Sequence, residues 1–221
     1  PVLNADYSDP DVIRVGKKYY MVASDFHFMG MQVLESDDMV NWKIISQIYD
    51  RFELPMWDSN MRYAGGSWAP SIRYHDKKFW VYFCTPHEGL FMSTAENPEG
   101  PWTPLHCVKA VEKWEDPCPL WDDDGQAYMF WGSSNFYPVR GKKLNMKDRF
   151  LVESETFELF NTDSTKHGWE RFGENHSDRN IRAYIEGVWM TKHNGKYYMQ
   201  YGAPGTEFNV YGDGVYIAND P

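Results

Sequence analysis

Short runs of alternating apolar and polar residues, separated by polar turns, recur along the whole chain. The first run reads DPDVIRVGKKYYMVAS over residues 9–24: an apolar strand, a Gly-Lys-Lys turn and an aromatic-rich strand. Turns of this kind join the two strands of a β-hairpin. Helical periodicity is weak throughout, so the pattern predicts an all-β fold.

The same hairpin pattern returns three more times, and these repeats predict the architecture. The copies read APSIRYHDKKFWVYFC (69–84), DPCPLWDDDGQAYMFWG (116–132) and EGVWMTKHNGKYYMQYG (186–202). A second strand pair follows the first two copies, in segments that end at Trp42 and Trp102. About four antiparallel strands per repeat, at this period, is the signature of a β-propeller blade. A β-sandwich is the alternative, but sandwiches do not repeat a strand-opening motif four times.

A propeller would explain why strands that look buried begin with carboxylates, which are costly to bury unless paired or used. The first strand of each blade lies innermost, so equivalent strand ends converge on one face. The four openings are Asp9, Ala69, Asp116 and Glu186. Three carboxylates brought together in a partly desolvated funnel repel one another, so their pKa values move apart. A carboxyl group with a raised pKa can then act as an acid and one with a lowered pKa as a base. The pattern therefore predicts a shared functional site.

Composition narrows the range of partners. The 221 residues carry a formal net charge of −10 and 17% aromatic side chains, which argues against a nucleic-acid partner. A neutral sugar remains a suitable substrate. No run of 18 apolar residues is present, so no membrane partner is predicted, and no signal peptide is visible. Cys84, Cys107 and Cys118 lack metal-ligand spacing and are predicted to be buried thiols.

Five motifs together resemble glycoside hydrolase family 43, the five-bladed propeller enzymes. They occur in the family's order along almost the whole chain: SDPD around Asp9, GGSWAPSI at 65–72, GPW at 100–102, EDPCPLWDDDG around Asp116 and YIEGVW around Glu186. The resemblance implies an inverting exo-glycosidase of the β-xylosidase or α-L-arabinofuranosidase type, acting on plant oligo- or polysaccharides that contain pentoses. Asp9 would be the general base that activates water, and Glu186 the general acid. Asp116 would orient Glu186 and raise its pKa.

Aromatic and small polar residues are candidates for sugar binding. Trp68 directly precedes the second inner strand and should line the funnel. By resemblance, Phe26 would wall the terminal sugar site and Thr206 would lie near the acid. The loop residues His27 and His87 are further candidates for substrate contact. Trp42 and Trp102 recur far from the strand openings and are predicted to pack within blades instead.

The resemblance also sets expectations about cofactors and completeness. It implies no required cofactor and leaves room for a structural calcium in the central channel, whose ligands this sequence does not identify. The acidic turn at 122–125 is expected to face solvent rather than bind a metal. Residues 1–221 are expected to form one propeller domain with about four blades, the fourth incomplete and a fifth beyond this sequence. The polar segment 157–182 is expected to form a loop over the active face.

Other functions stay open at this point. A propeller that binds carbohydrate without cleaving it, a galactan-directed glycosidase of the same fold, and a related family that retains configuration all fit the strand pattern. A protein-interaction propeller of the WD-repeat type is disfavoured, because the chain lacks Gly-His and Trp-Asp dipeptides at regular spacing. The presence of all three carboxylates favours the enzyme over the binding protein.

Overall fold

The computed structural model describes residues 2–26, 30–53, 65–133, 139–145, 150–160 and 163–220. Within these ranges lie fifteen β-strands and two single 3₁₀ turns, Gly168–Glu170 and Glu174–His176. The strands form four separate antiparallel sheets, each made of consecutive strands. None of the helical segments in the described part of the chain has the length and apolarity of a membrane span.

Each sheet corresponds to one repeat of the sequence, and we name the sheets blades 1 to 4. The strands of blade 1 are β1 Asp11–Val15, β2 Lys18–Val22, β3 Gln32–Ser36 and β4 Trp42–Gln47. Those of blade 2 are β5 Ser71–His75, β6 Lys78–Thr85, β7 Gly89–Ala95 and β8 His106–Lys109. Those of blade 3 are β9 Trp114–Trp121, β10 Ala127–Ser133, β11 Val139–Asn145 and β12 Phe150–Phe160. The described strands of blade 4 are β13 Glu186–His193, β14 Lys196–Ala203 and β15 Gly212–Ala218.

The four predicted hairpins are confirmed, because each lies in its own sheet. They are the pairs β1–β2, β5–β6, β9–β10 and β13–β14. By their internal contacts the residues divide into two compact units, Pro1–Glu112 with blades 1 and 2, and Lys113–Pro221 with blades 3 and 4. Each unit has its own apolar core between its two blades.

The structure tests three predictions about local features: the 157–182 loop, the burial of the cysteines and the packing of Trp102. The predicted loop at 157–182 is wrong in its first four residues, because β12 continues to Phe160; the alternating letters FELF are a strand pattern. Cys84 and Cys118 are buried as predicted, but Cys107 lies exposed on the outermost strand of blade 2. Trp102 packs against the core of the first unit and donates its indole N–H to Ser46 Oγ at 3.1 Å.

Blades 1 and 2 are joined by a carboxylate that receives a backbone N–H from the neighbouring inner strand. Asp11 lies two residues after Asp9 and is 8% exposed. Its Oδ2 accepts the N–H of Ile72 at 2.9 Å and Arg73 Nη1 at 2.5 Å. Since the inner strand β5 has no strand partner on this side, the Asp11 side chain satisfies a backbone group that would otherwise be buried without an acceptor.

Blades 3 and 4 are joined in the same manner by a thiol. Cys118 lies two residues after Asp116, and its Sγ accepts the N–H of Met190 on β13 at 3.1 Å. The Cys118 thiol donates in turn to the carbonyl of Met190, with a sulfur–oxygen distance of 3.8 Å. Asp11 and Cys118 therefore occupy equivalent positions, and we name the two contacts the inner-strand clamps.

A second contact holds the far ends of the inner strands of blades 3 and 4. Asp122 begins the acidic turn and forms an ion pair with Lys192, while Tyr197 donates its hydroxyl to the same carboxylate. Burial opposes ionisation here, but these two hydrogen bonds outweigh it and lower the pKa of Asp122. The rest of the turn, Asp123 and Asp124, is exposed as expected.

The two clamps should differ in strength. We expect Asp11→Ala to lower the free energy of unfolding by about 3 kcal/mol, because it leaves a largely buried Arg73 without its carboxylate. Cys118→Ala removes two weak hydrogen bonds, one accepted and one donated, and should cost about 1–2 kcal/mol. Urea unfolding followed by tryptophan fluorescence measures both values.

The control for this comparison is Asp37→Ala, which removes a carboxylate that is 81% exposed and lies 3.8 Å from Lys18. Its effect should stay within about 0.5 kcal/mol of the unmodified protein. If Asp11→Ala were as mild as Asp37→Ala, the clamp would not stabilise the blade pair.

Candidate active site

In the second unit, the predicted strand-opening carboxylates of blades 3 and 4 lie close together, although β9 begins at Trp114, two residues before Asp116. Asp116 has a left-handed backbone (φ +53°), and its Oδ2 accepts the N–H of Gly187 at 2.7 Å. Gly187 is itself left-handed (φ +68°), and the pairing of β13 with β14 shifts register directly after Glu186. The Asp116 carboxylate therefore fixes the backbone that presents the predicted general acid.

A third carboxylate, which the sequence analysis missed, completes this group. Glu115, Asp116 and Glu186 each offer an oxygen, and these atoms all lie within 4.8 Å of one another. Glu115 is only 6% exposed. Because like charges at this separation repel strongly when partly desolvated, the group favours retention of a proton by one of its members.

Two tyrosines surround Glu186, and the sequence analysis missed these as well. The hydroxyls of Tyr184 and Tyr211 lie close enough to the Glu186 side chain for it to shift the pKa of both. Burial, with the charge of Glu186 next in size, raises the pKa of both tyrosines above the usual range. The two hydroxyls therefore remain protonated beside Glu186. The position of Tyr184, two residues before the predicted acid, is the signal that could have identified it.

The position of the Tyr211 ring depends on Gly202, which lies opposite Glu186 in the sheet. Gly202 pairs with Glu186 across β13 and β14. A Cβ atom at Gly202 would lie 2.0 Å from the Tyr211 hydroxyl oxygen and 2.5 Å from Cζ. Real Cβ atoms do not approach other atoms this closely. Glycine at position 202 therefore leaves the space that the hydroxyl end of the Tyr211 ring occupies.

The loop between β14 and β15 carries Thr206 and is held by the preceding polar segment. Thr206 is exposed in a turn closed by the Phe208 N–H and the Gly205 carbonyl, 3.1 Å apart. The ring of Phe172 packs edge-on against Phe208 with centroids 4.9 Å apart. Glu174 accepts the N–H of Asn209 at 3.2 Å. The part of the predicted loop from residue 163 onward thus supports the turn that presents Thr206.

In the first unit, Asp9 resembles Asp116 in backbone geometry. It is left-handed (φ +50°) and exposed. The Ser24 hydroxyl donates to Asp9 Oδ2 at 2.6 Å, and the Ser24 N–H donates to the Ser8 carbonyl at 3.0 Å. Aspartate tolerates this region better than most residues, so the two aspartates share a backbone conformation that suits their residue type.

Phe26 and Trp68 each follow one of two bridged residues in the first unit. Asp25 and Ser67 form an isolated antiparallel bridge, with their side chains buried at 7% and 0% exposure. Ser24, Phe26 and Trp68, the residues next to this bridge, are half-buried. The bridge thus brings the backbones of both predicted sugar-contact aromatics near the serine that contacts the predicted base. That Asp9 acts together with Asp116 and Glu186 stays a prediction.

The two histidine candidates have different outcomes. His87 lies exposed in the turn between β6 and β7, whose backbone N–H groups are capped by the Thr85 hydroxyl at 3.2 Å. His27 lies outside the described residues.

The acidic group of the second unit can be compared with the calcium that the resemblance leaves room for. Calcium takes six to eight oxygen ligands, and Glu115, Asp116 and Glu186 place one oxygen each within 4.8 Å of one another. One of these carboxylates, Asp116, already accepts the Gly187 N–H. A structural calcium in the central channel stays a prediction.

Comparison with known proteins identifies the sequence relatives. The chain is 77% identical over 146 residues to a Xylanibacter ruminicola protein named as a candidate beta-xylosidase, which covers 66% of this chain and 28% of that protein. It is 39% identical over 109 residues to the non-reducing end alpha-L-arabinofuranosidase BoGH43B of Bacteroides ovatus, covering 47% of this chain and 20% of that protein. The chain thus spans about a quarter of the length of the curated relatives that it matches.

The structural comparison agrees with the sequence comparison. A solved structure entitled Bacteroides ovatus Xyloglucan PUL GH43B matches all of this chain and 40% of that chain, with a TM-score of 0.80 and 26% identity. Together with the four separate sheets, this confirms the predicted all-β propeller fold; a fifth blade stays a prediction. The sequence model of Glycosyl hydrolases family 43 matches residues 1–221. The chain therefore belongs to glycosyl hydrolase family 43.

Proposed function

We propose that the protein is an exo-acting glycoside hydrolase that removes a terminal pentose from plant oligo- or polysaccharides, with inversion at the anomeric carbon. Asp9 takes a proton from water as the water oxygen attacks that carbon. Glu186 gives its proton to the leaving oxygen as the glycosidic bond breaks. The released sugar carries the new hydroxyl, and the leaving group departs as a neutral alcohol.

The observation that carries this proposal is the surroundings of Glu186. A general acid must hold a proton near neutral pH, and two further carboxylates within 4.8 Å favour the protonated state. Asp116 also hydrogen-bonds the Gly187 N–H directly after the acid, which fixes the acid's backbone. The hydroxyls of Tyr184 and Tyr211 lie beside the carboxyl group and restrict its orientation, so a protonated acid is held in place.

The first unit supplies the features that the base and the sugar require. Asp9 is exposed, as a base that meets water must be, and Ser24 holds it in one orientation. Phe26 and Trp68, which directly follow the two bridged residues, provide half-buried aromatic surface for the sugar ring. Two relatives named for xylose- and arabinofuranose-releasing activities support a pentose as the sugar.

The role of Glu186 can be tested with substrates that differ in leaving group. Glu186→Gln should reduce hydrolysis of xylobiose or arabino-oligosaccharides by about 10²–10⁴-fold, the usual contribution of a general acid. Aryl pentosides with an acidic phenol should lose far less, because that leaving group departs without a proton. Steady-state rates on p-nitrophenyl xyloside, arabinofuranoside and galactoside give the comparison and the sugar preference.

Asp9→Asn is the matched variant for this test, since water must be activated whatever leaves. It should impair both substrate types equally. A protein that binds these sugars but hydrolyses none of them would be a binding propeller, and activity on the galactoside alone would replace the pentose assignment.

The stereochemical course tests the role of Asp9. NMR during the first turnovers should show the released sugar with inverted anomeric configuration, because water adds directly to the face opposite the leaving group. If the configuration were retained, Asp9 would act as a nucleophile instead, and the base assignment would be wrong.

The contact between Gly202 and Tyr211 provides a test outside the carboxylates. Gly202→Ala should displace the tyrosine ring and lower kcat by about 100-fold, the effect of misplacing a catalytic group by about 1 Å. The matched control is Gly212→Ala, whose Cβ meets nothing within 4 Å and which lies on the neighbouring strand. Equal kcat for the two variants would show that Tyr211 does not position the acid.

A further inference from the structure

We propose that Asp25 is a positioning residue, which holds Phe26 and Trp68 in the arrangement that binds the terminal sugar. The proposal rests on the function proposed above, because it assumes that these two aromatics contact substrate. Asp25 itself faces away from them, into the core of the first unit, and is 7% exposed.

The Asp25 carboxylate closes the segment that carries Phe26. Its Oδ2 accepts the backbone N–H of Gly30 at 3.0 Å and the hydroxyl of Tyr49 at 3.1 Å. One carboxylate oxygen thus ties the two ends of the 25–30 segment together and fastens them to a third point of the unit. Phe26 is the residue next to this anchor.

The backbone of Asp25 connects the same anchor to Trp68. Its N–H donates to the Ser67 carbonyl at 2.8 Å, and the Tyr49 hydroxyl lies 3.0 Å from Ser67 Oγ. Trp68 follows Ser67 directly, and its backbone N–H donates to the Cys84 carbonyl at 2.9 Å. Asp25, Tyr49 and Ser67 therefore form one buried polar network between the two aromatic positions.

The network is rigid because its third member is locked in the aromatic core. The Tyr49 ring lies 4.5 Å from that of Phe52 and 5.8 Å from that of Phe83, measured between centroids. Burial, followed by the charge of Asp25, raises the pKa of Tyr49 above its usual range, so its hydroxyl remains a donor. Burying an aspartate in an apolar core is costly unless its oxygens are hydrogen-bonded, and the bonds from Gly30 and Tyr49 meet that requirement at Asp25.

Two glycines bring the surrounding backbone against this network. A Cβ at Gly66 would lie 2.1 Å from the Asp25 carbonyl oxygen, and one at Gly30 would lie 2.1 Å from the Tyr49 carbonyl oxygen. Both glycines have φ near +80°, which other residues rarely adopt. The backbone of Gly66 thus packs directly against Asp25, and that of Gly30 directly against Tyr49, so a larger residue at either position would displace the network.

The consequence for binding is one of preorganisation. Without the carboxylate, the Phe26 and Trp68 segments must be ordered when sugar binds, which weakens affinity without altering the reacting groups. We expect Asp25→Ala, in the full-length protein, to raise KM for the preferred p-nitrophenyl pentoside about tenfold while kcat falls less than about threefold. Asp25→Asn should largely restore KM, because its amide oxygen accepts the same two hydrogen bonds.

Asp38→Ala is the matched control. Asp38 is also an aspartate of blade 1 that accepts backbone N–H groups, from Val40 at 2.8 Å and Asn41 at 2.7 Å. It lies in the turn between β3 and β4, at the opposite end of the blade from the 25–30 segment. A KM for Asp25→Ala equal to that of Asp38→Ala would overturn the proposal.

Two further measurements keep the outcome decisive. If Asp25→Ala does not fold, Tyr49→Phe removes one hydrogen bond and keeps the ring; it should raise KM about threefold, and an unchanged KM overturns the proposal. If the unmodified protein hydrolyses no pentoside, the proposed function is wrong, and hydrogen exchange decides the positioning role alone. Amides of residues 25, 30 and 68 should then exchange at least tenfold faster in Asp25→Ala than in Asp38→Ala, and equal rates overturn it.

Discussion

The inner strand of each blade has one edge without a strand partner, and its buried N–H groups need acceptors from the neighbouring blade. In both units a side chain two residues after the opening aspartate supplies that acceptor. Asp11 does so for Ile72, and Cys118 for Met190. The clamp therefore ties the inner strands of the two blades together within each unit, close to the residues that carry the predicted catalytic carboxylates.

A left-handed aspartate precedes each clamp residue by two positions, Asp9 before Asp11 and Asp116 before Cys118. A strained backbone at such a point is common where function requires it. In blade 4 two neighbouring residues share these features: Glu186 carries the carboxyl group and Gly187 has the left-handed conformation. The chain thus combines a carboxyl group with a left-handed backbone either in one aspartate or in a glutamate–glycine pair.

Much of the fold could be predicted because it depends on local patterns. Alternation and turn chemistry identified the four hairpins, and the repeated openings identified Asp116 and Glu186 as neighbours.

The missed features depend on contacts between residues far apart in sequence. Nothing near Asp11 indicates Ile72 as its partner, and nothing near Tyr211 indicates that Gly202 leaves space for its ring. Asp25 was missed because an aspartate beside an aromatic resembles any loop aspartate until Tyr49, 24 residues later, is seen to donate to it. The strand at Phe157 was missed because the polar segment that follows dominated the local composition.

The use of a thiol in one clamp and a carboxylate in the other has a practical consequence. Cys118 is 1% exposed, Cys84 is 0% exposed and Cys107 lies on the surface. An alkylating reagent should therefore reach Cys107 at once, but Cys118 only when blades 3 and 4 separate. The slow phase of modification at Cys118 would report how often that pair opens in the native protein, with Cys84 reporting the interior of blade 2. The chain thus contains its own probe of local opening in each unit, without any introduced label.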